Sequence, residues 1–307
     1  MKKIFRYIRE VFSEFSADNI FKYSASLAYY TVFSVAPVLL IIISLSGLFF
    51  GKEAVQGRVY HELNGLIGSE AALQIQNTIL NIHLTGNSFI ATVTSIILII
   101  IGATTIFGEI QDSLNKMWGL RIKSKKVWWK LILTRLISFS LILTIGIIMS
   151  ISLILNAVVT AFGKFITKYI QDYSLYLIGF INNILSFLVA AFLFSLLFKI
   201  LPDAKIKWKD VVIGGLVTAV FFTLGKVGIS FYIGKSNLAS LYGAAGSIII
   251  FMVWVYYSAI ILYLGAEFTK VYANLYGGKI IPNEYAEWIK TEEKPVSSPQ
   301  LKNKELT

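Results

Sequence analysis

Six apolar runs decide what this chain can fold into. They are Tyr29–Phe50, Phe89–Phe107, Leu131–Ala157, Leu177–Phe198, Val211–Ile233 and Ala244–Ala266. At about 1.5 Å of rise per residue the shortest makes roughly 28 Å of helix, against a bilayer hydrocarbon core of about 30 Å. The third is longer than a crossing needs, so it tilts or runs past the interface. None alternates apolar and polar residues, which argues against a membrane barrel. Composition points the same way: 56% of the residues are hydrophobic and 15% charged, more apolar surface than a soluble core of 307 residues can bury. The expected fold is all-α, a polytopic membrane protein of six transmembrane helices.

The formal charge of +11 takes its meaning from where it sits. Of the 28 Lys and Arg, 22 fall in the N-terminal arm, the loop Gly108–Lys130 with Arg135 just beyond it, the loop after the fourth run, and the C-terminal tail. The alternate loops hold only Lys52, Arg58, Lys164, Lys168 and Lys235, and Lys226 lies inside the fifth run. By the positive-inside rule both termini are cytoplasmic. The charge is therefore read as a topology signal, and no nucleic-acid partner is expected. The first apolar run is too long and starts too late for a cleavable signal peptide. With no cysteine, disulfides, thiolate nucleophiles and Cys-based metal sites are excluded.

Three regions follow. Residues 1–22 form a cytoplasmic arm in which Ile4, Phe5, Ile8, Val11, Phe12 and Phe15 recur at helical spacing among Lys2, Lys3, Arg6 and Arg9. That pattern fits an amphipathic helix lying on the inner leaflet or packed on the ends of the bundle. Residues 23–275 are the membrane domain, with an external segment 51–88 whose two apolar stripes predict a helical hairpin. Residues 276–307 are a cytoplasmic, largely disordered tail, without periodicity after about Lys290.

Polar residues inside apolar runs are the candidates for function. In "SLAYYTVFSVAP", Ser26, Tyr30, Phe33 and Pro37 share one helical face, and Tyr23, Ser24, Leu27, Thr31 and Ser34 the next. Pro37 removes a helix hydrogen bond, which a bilayer tolerates only where protein or water repairs it. Tyr29, Tyr30, Ser34 and Pro37 are therefore read as a cavity lining or gate, or as Ser/Thr contacts between helices. In the sixth run Tyr256 and Tyr257 sit at mid-depth. Tyr256, Ile260, Tyr263 and Glu267 make a stripe that ends in the acid nearest hydrocarbon. Glu267 is a functional carboxylate, or an interfacial one paired with Lys270 or Arg135. Lys226 is an intramembrane cation that snorkels outward or enters a polar cavity.

The stretches "ASLAYYTVFSVAPVLL", "GEIQDSLNKMWG", "LPDAKIKWKDVVIGGLVTAVFF" and "YGAAGSIIIFMVWVYYSAIILYLGAEFTKVYA" closely resemble signature blocks of the YihY/BrkB family, across nearly all of residues 20–275. The resemblance implies a six-helix bacterial inner-membrane protein. It also implies roles in transport, including export of lipids or envelope precursors, and in serum resistance. Family positions that match here include Ala28, Tyr29, Tyr30, Pro37, Asn115, Trp118, Gly119, Pro202, Gly214, Gly246, Tyr256, Tyr257, Gly265, Ala266 and Glu267.

An earlier ribonuclease label for the family fits these residues badly. His61 and His83 lie in the outer segment, and the cytoplasmic acids Glu109, Asp112, Asp203 and Asp210 make no ligand motif. Asp203 and Asp210 are read as offsetting neighbouring lysines. No phosphate-cradling loop is present, so transport would not be ATP-driven by this chain. The expectation is a non-enzymatic protein with no catalytic residue, cofactor or metal. It would be a transporter or a translocator of lipids or envelope precursors, with membrane lipids and an amphiphilic or lipid-linked substrate as partners. A non-transporting scaffold for envelope biogenesis is the alternative. Orientation is testable directly: a cysteine placed at Ser69 should react with an impermeant thiol reagent in intact cells, and one at Ser124 should not. The reverse pattern would invert the topology.

Overall fold

The computed structural model describes residues 2–50, 89–123, 127–167, 174–235 and 246–289, with isolated positions at 57, 60, 73 and 76. Helix α1 spans Lys2–Ala17 and α2 Ile20–Phe50, followed by α3 (Phe89–Met117), α4 (Val127–Thr167), α5 (Ser174–Ile200), α6 (Trp208–Lys235) and α7 (Gly246–Leu275). The hairpin expected over 51–88 and the disorder expected after Lys290 lie outside the described residues. Among the described residues, four helices carry stretches long and apolar enough to cross a membrane: Trp128–Ile148, Asn183–Ile200, Trp208–Ile229 and Ile248–Leu275. The last runs on past the expected end at Ala266. It does so because Glu267 and Lys270 lie against each other and against other helices rather than in water. The expected runs Tyr29–Phe50 and Phe89–Phe107 fall within α2 and α3.

The helices neighbour one another in the order α2–α3–α4–α5–α6–α7 and back to α2, with α1 laid on α7. Small residues set the closest approaches, as membrane helices require when lipid offers no hydrophobic drive. On α6, a Cβ at Gly214 would collide with Thr269 of α7, and one at Gly265 of α7 would collide with Thr218 of α6. Each threonine hydroxyl donates back to a carbonyl four residues earlier, Thr218 to Gly214 and Thr269 to Gly265, so its oxygen is satisfied within the seam. Gly215 faces the other way, against Ala191 and Ser195 of α5. Pro37 stands 3.0 Å from the place a Cβ on Gly102 would take, so α2 meets α3 through the proline ring.

At one end of the bundle the chain adds four short strands. Strands β1 (Leu120–Ile122) and β2 (Ala204–Lys205) follow α3 and α5, and β3 (Ile281–Pro282) and β4 (Ala286–Trp288) follow α7. β4 pairs antiparallel with β1 (Leu120 opposite Trp288), and β3 with β2 (Ala204 opposite Pro282). The tail expected to be largely disordered from 276 therefore starts as folded structure as far as 289, because its backbone is paired to two loops. Gly119, at φ +65°, turns the chain from α3 into β1, and its carbonyl accepts from the Ile289 N–H.

Asp203 stands beneath this clasp. Its side chain is buried and paired with the buried Lys130 of α4. It also accepts from Gln111 at 3.1 Å, Asn115 at 2.8 Å and the Tyr285 hydroxyl at 3.3 Å, while its own N–H donates to Asn115. The reading of Asp203 and Asp210 as counter-charges to neighbouring lysines is corrected. Asp203 reaches across to α3, α4 and the tail, and Asp210 accepts from the Gly278 N–H at 2.8 Å. Both are buried and so need partners fixed by the fold rather than mobile surface lysines. Breaking one side of a buried pair costs about 3–5 kcal/mol, whereas an exposed pair such as Arg121–Glu287 is worth about 0–1 kcal/mol. Asp203→Ala should therefore lower the unfolding midpoint in detergent sharply, and Arg121→Ala should leave it nearly unchanged. Equal effects would contradict the hub.

Candidate functional site: the charge cluster where α1, α3 and α7 meet

Helix α1 begins the site. Its apolar side packs on α7: Tyr7 and Val11 are buried with Val271, and the Tyr7 hydroxyl donates to the Phe268 carbonyl at 2.9 Å. Burial pushes the Tyr7 phenol well above its ordinary range, so it stays a neutral donor. Of the two readings of the arm, packing on the bundle is the one observed. Phe12 is left exposed and Phe15 sits half-buried against the core. Asn19, at φ 51°, breaks the chain between α1 and α2. This turn sets Glu14 and Asp18, one helical turn apart, over the end of α7.

Lys270 meets them there. Its ammonium donates to Glu14 at 2.6 Å, to Asp18 at 3.1 Å and to the carbonyl of Met117, the last residue of α3, at 2.6 Å. A cation at a helix C-terminus is favoured by the helix dipole and by the free carbonyls. An ammonium has three N–H groups, and all three are used. Glu267, three residues earlier on α7, lies 3.3 Å from the same nitrogen. It is 0% exposed, and neither carboxyl oxygen accepts a hydrogen bond among the described residues. A buried carboxyl with charge proximity but no hydrogen bond is costly.

Oxygens of Glu14, Asp18 and Glu267 lie within 4.8 Å of one another. A small cation would meet the Lys270 ammonium already among them, so the lysine serves as the cluster's cation. Three carboxyls around one ammonium leave an excess of acid at the mouth of a membrane helix.

The other candidates fall in separate places. Arg135 donates to the Thr104 hydroxyl at 2.8 Å on α3, so of the two partners read for Glu267 the structure supplies Lys270. Tyr256 packs on the α2–α7 seam beside Ala28, Val32 and Val35, whereas Tyr257 lies against Gly225 on the α6–α7 seam. Ser34 is buried and Pro37 half-buried on α2. Tyr29 and Tyr30 are exposed by 56% and 38%, stacked edge to face at 5.7 Å. Lys226 is exposed on α6. The buried face of α2 is thus Ser24, Leu27, Thr31 and Ser34, and the tyrosines point outward. Glu14 and Asp18 were missed because the arm was read from its basic and apolar residues. Their spacing of four, which sets both acids on one face, was the available signal.

Comparison with known proteins bears on the whole chain. A family model described as virulence factor BrkB matches residues 11–285. A UPF0761 membrane protein of Pseudoalteromonas atlantica is 27% identical over 86% of this chain and 85% of its own length. Namesakes from Mannheimia succiniciproducens and Saccharophagus degradans are each 23% identical, with 88% and 60% of their lengths covered. No solved structure matches.

A double-mutant cycle tests the cluster. Lys270→Met should cost about 3–5 kcal/mol by leaving Glu267 buried without its counter-charge. Adding Glu267→Gln should recover a large part of that loss in detergent unfolding. Additive losses would mean the two do not interact.

Proposed function

The chain belongs to the virulence factor BrkB family of membrane proteins, and from that premise we propose that it is a six-span transporter of the bacterial plasma membrane. Both termini are cytoplasmic, and the cargo is an amphiphilic lipid or lipid-linked envelope precursor moved without ATP hydrolysis or other catalysis.

The observation that carries this reading is Glu267. A fully buried carboxyl that accepts no well-formed hydrogen bond among the described residues, beside an ammonium shared with two further acids, is expensive for a purely structural contact. It suits a group that exchanges partners during a transport cycle. α1 lies over it, held by Glu14 and Asp18, and acts as the inner gate. When α1 lifts, Lys270 loses two of its partners and turns toward Glu267. The apolar and aromatic residues that dominate α7 suit an amphiphilic cargo better than a bare ion. The orientation is supported by the exposed Trp128, Trp129, Trp208 and Trp288, which stand at the same end as the lysine-rich loops. Tryptophan marks the membrane interface and lysine the cytoplasmic side.

Glu267→Gln is the decisive variant, because the side chains are nearly isosteric. Reconstituted in liposomes, the wild-type chain should move a fluorescent phospholipid analogue between leaflets, and the variant should lose that movement at unchanged unfolding midpoint. Full activity in the Gln variant would remove the mechanistic role and leave a scaffold, using its basic inner face for anionic partners, as the better reading.

A further inference from the structure

Helices α3, α4, α5 and α6 line a cavity of about 230 Å3 that shares no residue with the Glu267 cluster. All nine lining residues are apolar, among them Phe107 of α3, Leu141 and Ile145 of α4, Ala190 and Phe194 of α5, and Phe222 of α6. Among the described residues no polar side chain reaches it, so none of them offers water a partner there. Apolar cavities of roughly 150 Å3 already stay dry and take up hydrocarbon. Six of the nine residues keep partial exposure, so the cavity is open rather than sealed. The outward residues on the surrounding helices, Leu136, Leu188 and Leu224, are exposed and apolar. They belong to stretches able to cross a membrane, so the opening lies in hydrocarbon.

The slot also has a measurable depth. On α5 its lining runs from Ala190 to Leu197, and α5 ends at Ile200. Its edge on α5 is thus about 15 Å from that helix end, and on α4 and α6 the lining reaches further along, to Ile145 and Phe222. At that same end the loop after α5 presents the exposed Lys205, Lys207 and Lys209. Lys205 has an acid within 4.0 Å, the exposed Glu284, and the three together leave net positive charge.

We propose that this slot is a binding site for one acyl chain of an anionic phospholipid, with the headgroup over Lys205, Lys207 and Lys209. The charge of the loop selects the headgroup, and the purely apolar walls select the chain. The site holds whether or not the protein moves a cargo, because it shares no residue with the Glu267 cluster.

The test uses the full chain in nanodiscs with a phospholipid carrying a diazirine midway along one acyl chain. After irradiation, peptide mapping should find adducts at Leu193, Phe194 and Phe222 in excess of those at the outward-facing Leu188 and Leu224. Ala190→Phe fills the slot and should abolish the excess, and Leu193→Trp serves the same purpose if Ala190→Phe does not fold. Leu188→Phe, on the outer surface of α5, should leave the excess intact. With a phosphatidylglycerol probe, the Lys205→Gln/Lys207→Gln/Lys209→Gln variant should lose about fivefold in labelling per lysine removed, and with a phosphatidylcholine probe it should change little. Adducts no more frequent in the slot than at Leu224, or undiminished by either filling variant, would overturn the site. A diazirine fatty acid that labels the slot and is not displaced by phosphatidylglycerol would overturn the phospholipid assignment.

Discussion

Asp203 is taken out of water at one end of the bundle, and much of the architecture there exists to keep its carboxylate satisfied. Lys130 of α4 supplies the charge, and Gln111 and Asn115 of α3 and Tyr285 of the C-terminal segment supply hydrogen bonds, so three separate parts of the chain converge on it. A buried ion pair gains little over apolar packing, but losing one partner is severe. The consequence is order rather than strength: α3, α4, the loop after α5 and the C-terminal segment hold one arrangement because no other satisfies the aspartate. The strand pairs β1–β4 and β2–β3 join the same segments through their backbones.

Next to that anchored end, α7 carries the cluster on which the transport proposal rests. It touches α2 on one side and α6 on the other, and it carries both members of the Glu267–Lys270 pair. Its seam with α6 is reciprocal, Gly214 against Thr269 and Gly265 against Thr218. Backbones this close leave no room for a side chain larger than hydrogen at the glycines. The same closeness places Glu267, two residues past Gly265, deep in protein rather than at a lipid-facing surface. A carboxyl at that position has to find its charge partner on its own helix, and Lys270 is one turn away.

Among the described residues, helix α1 supplies the contact between this cluster and a segment outside the ring of six helices. Its hold on α7 is part apolar, through Tyr7 and Val11, and part ionic, through Glu14 and Asp18. The ionic part is shared with the group that carries the transport proposal, so displacement of α1 and the environment of Glu267 are coupled by the three donors of one ammonium. The acyl slot has no such link. It depends on the gap left between α3, α4, α5 and α6, where large apolar side chains meet without filling the space.

Much of this was readable from residues in order. Apolar runs of bilayer length dictate helices, because inside a membrane the backbone must satisfy its own hydrogen bonds. The stretch Val211–Ile233 lies within α6 and Leu177–Phe198 within α5 for that reason. The prominence of Glu267 was also legible, since an acid beside an apolar run is costly wherever it lands. Its partner was not decided by sequence: Lys270 and Arg135 were equally available until packing set Arg135 on Thr104. Nor were the outward turn of Tyr29 and Tyr30, the hub at Asp203, the folding of residues 276–289 or the role of Glu14 and Asp18. Each depends on segments between about 70 and 260 residues apart, and local periodicity carries no information about which distant group will arrive. Sequence alone determined which segments must leave water. Tertiary structure decided which polar groups went with them and what they met there, because that choice is made by the geometry of helix contact.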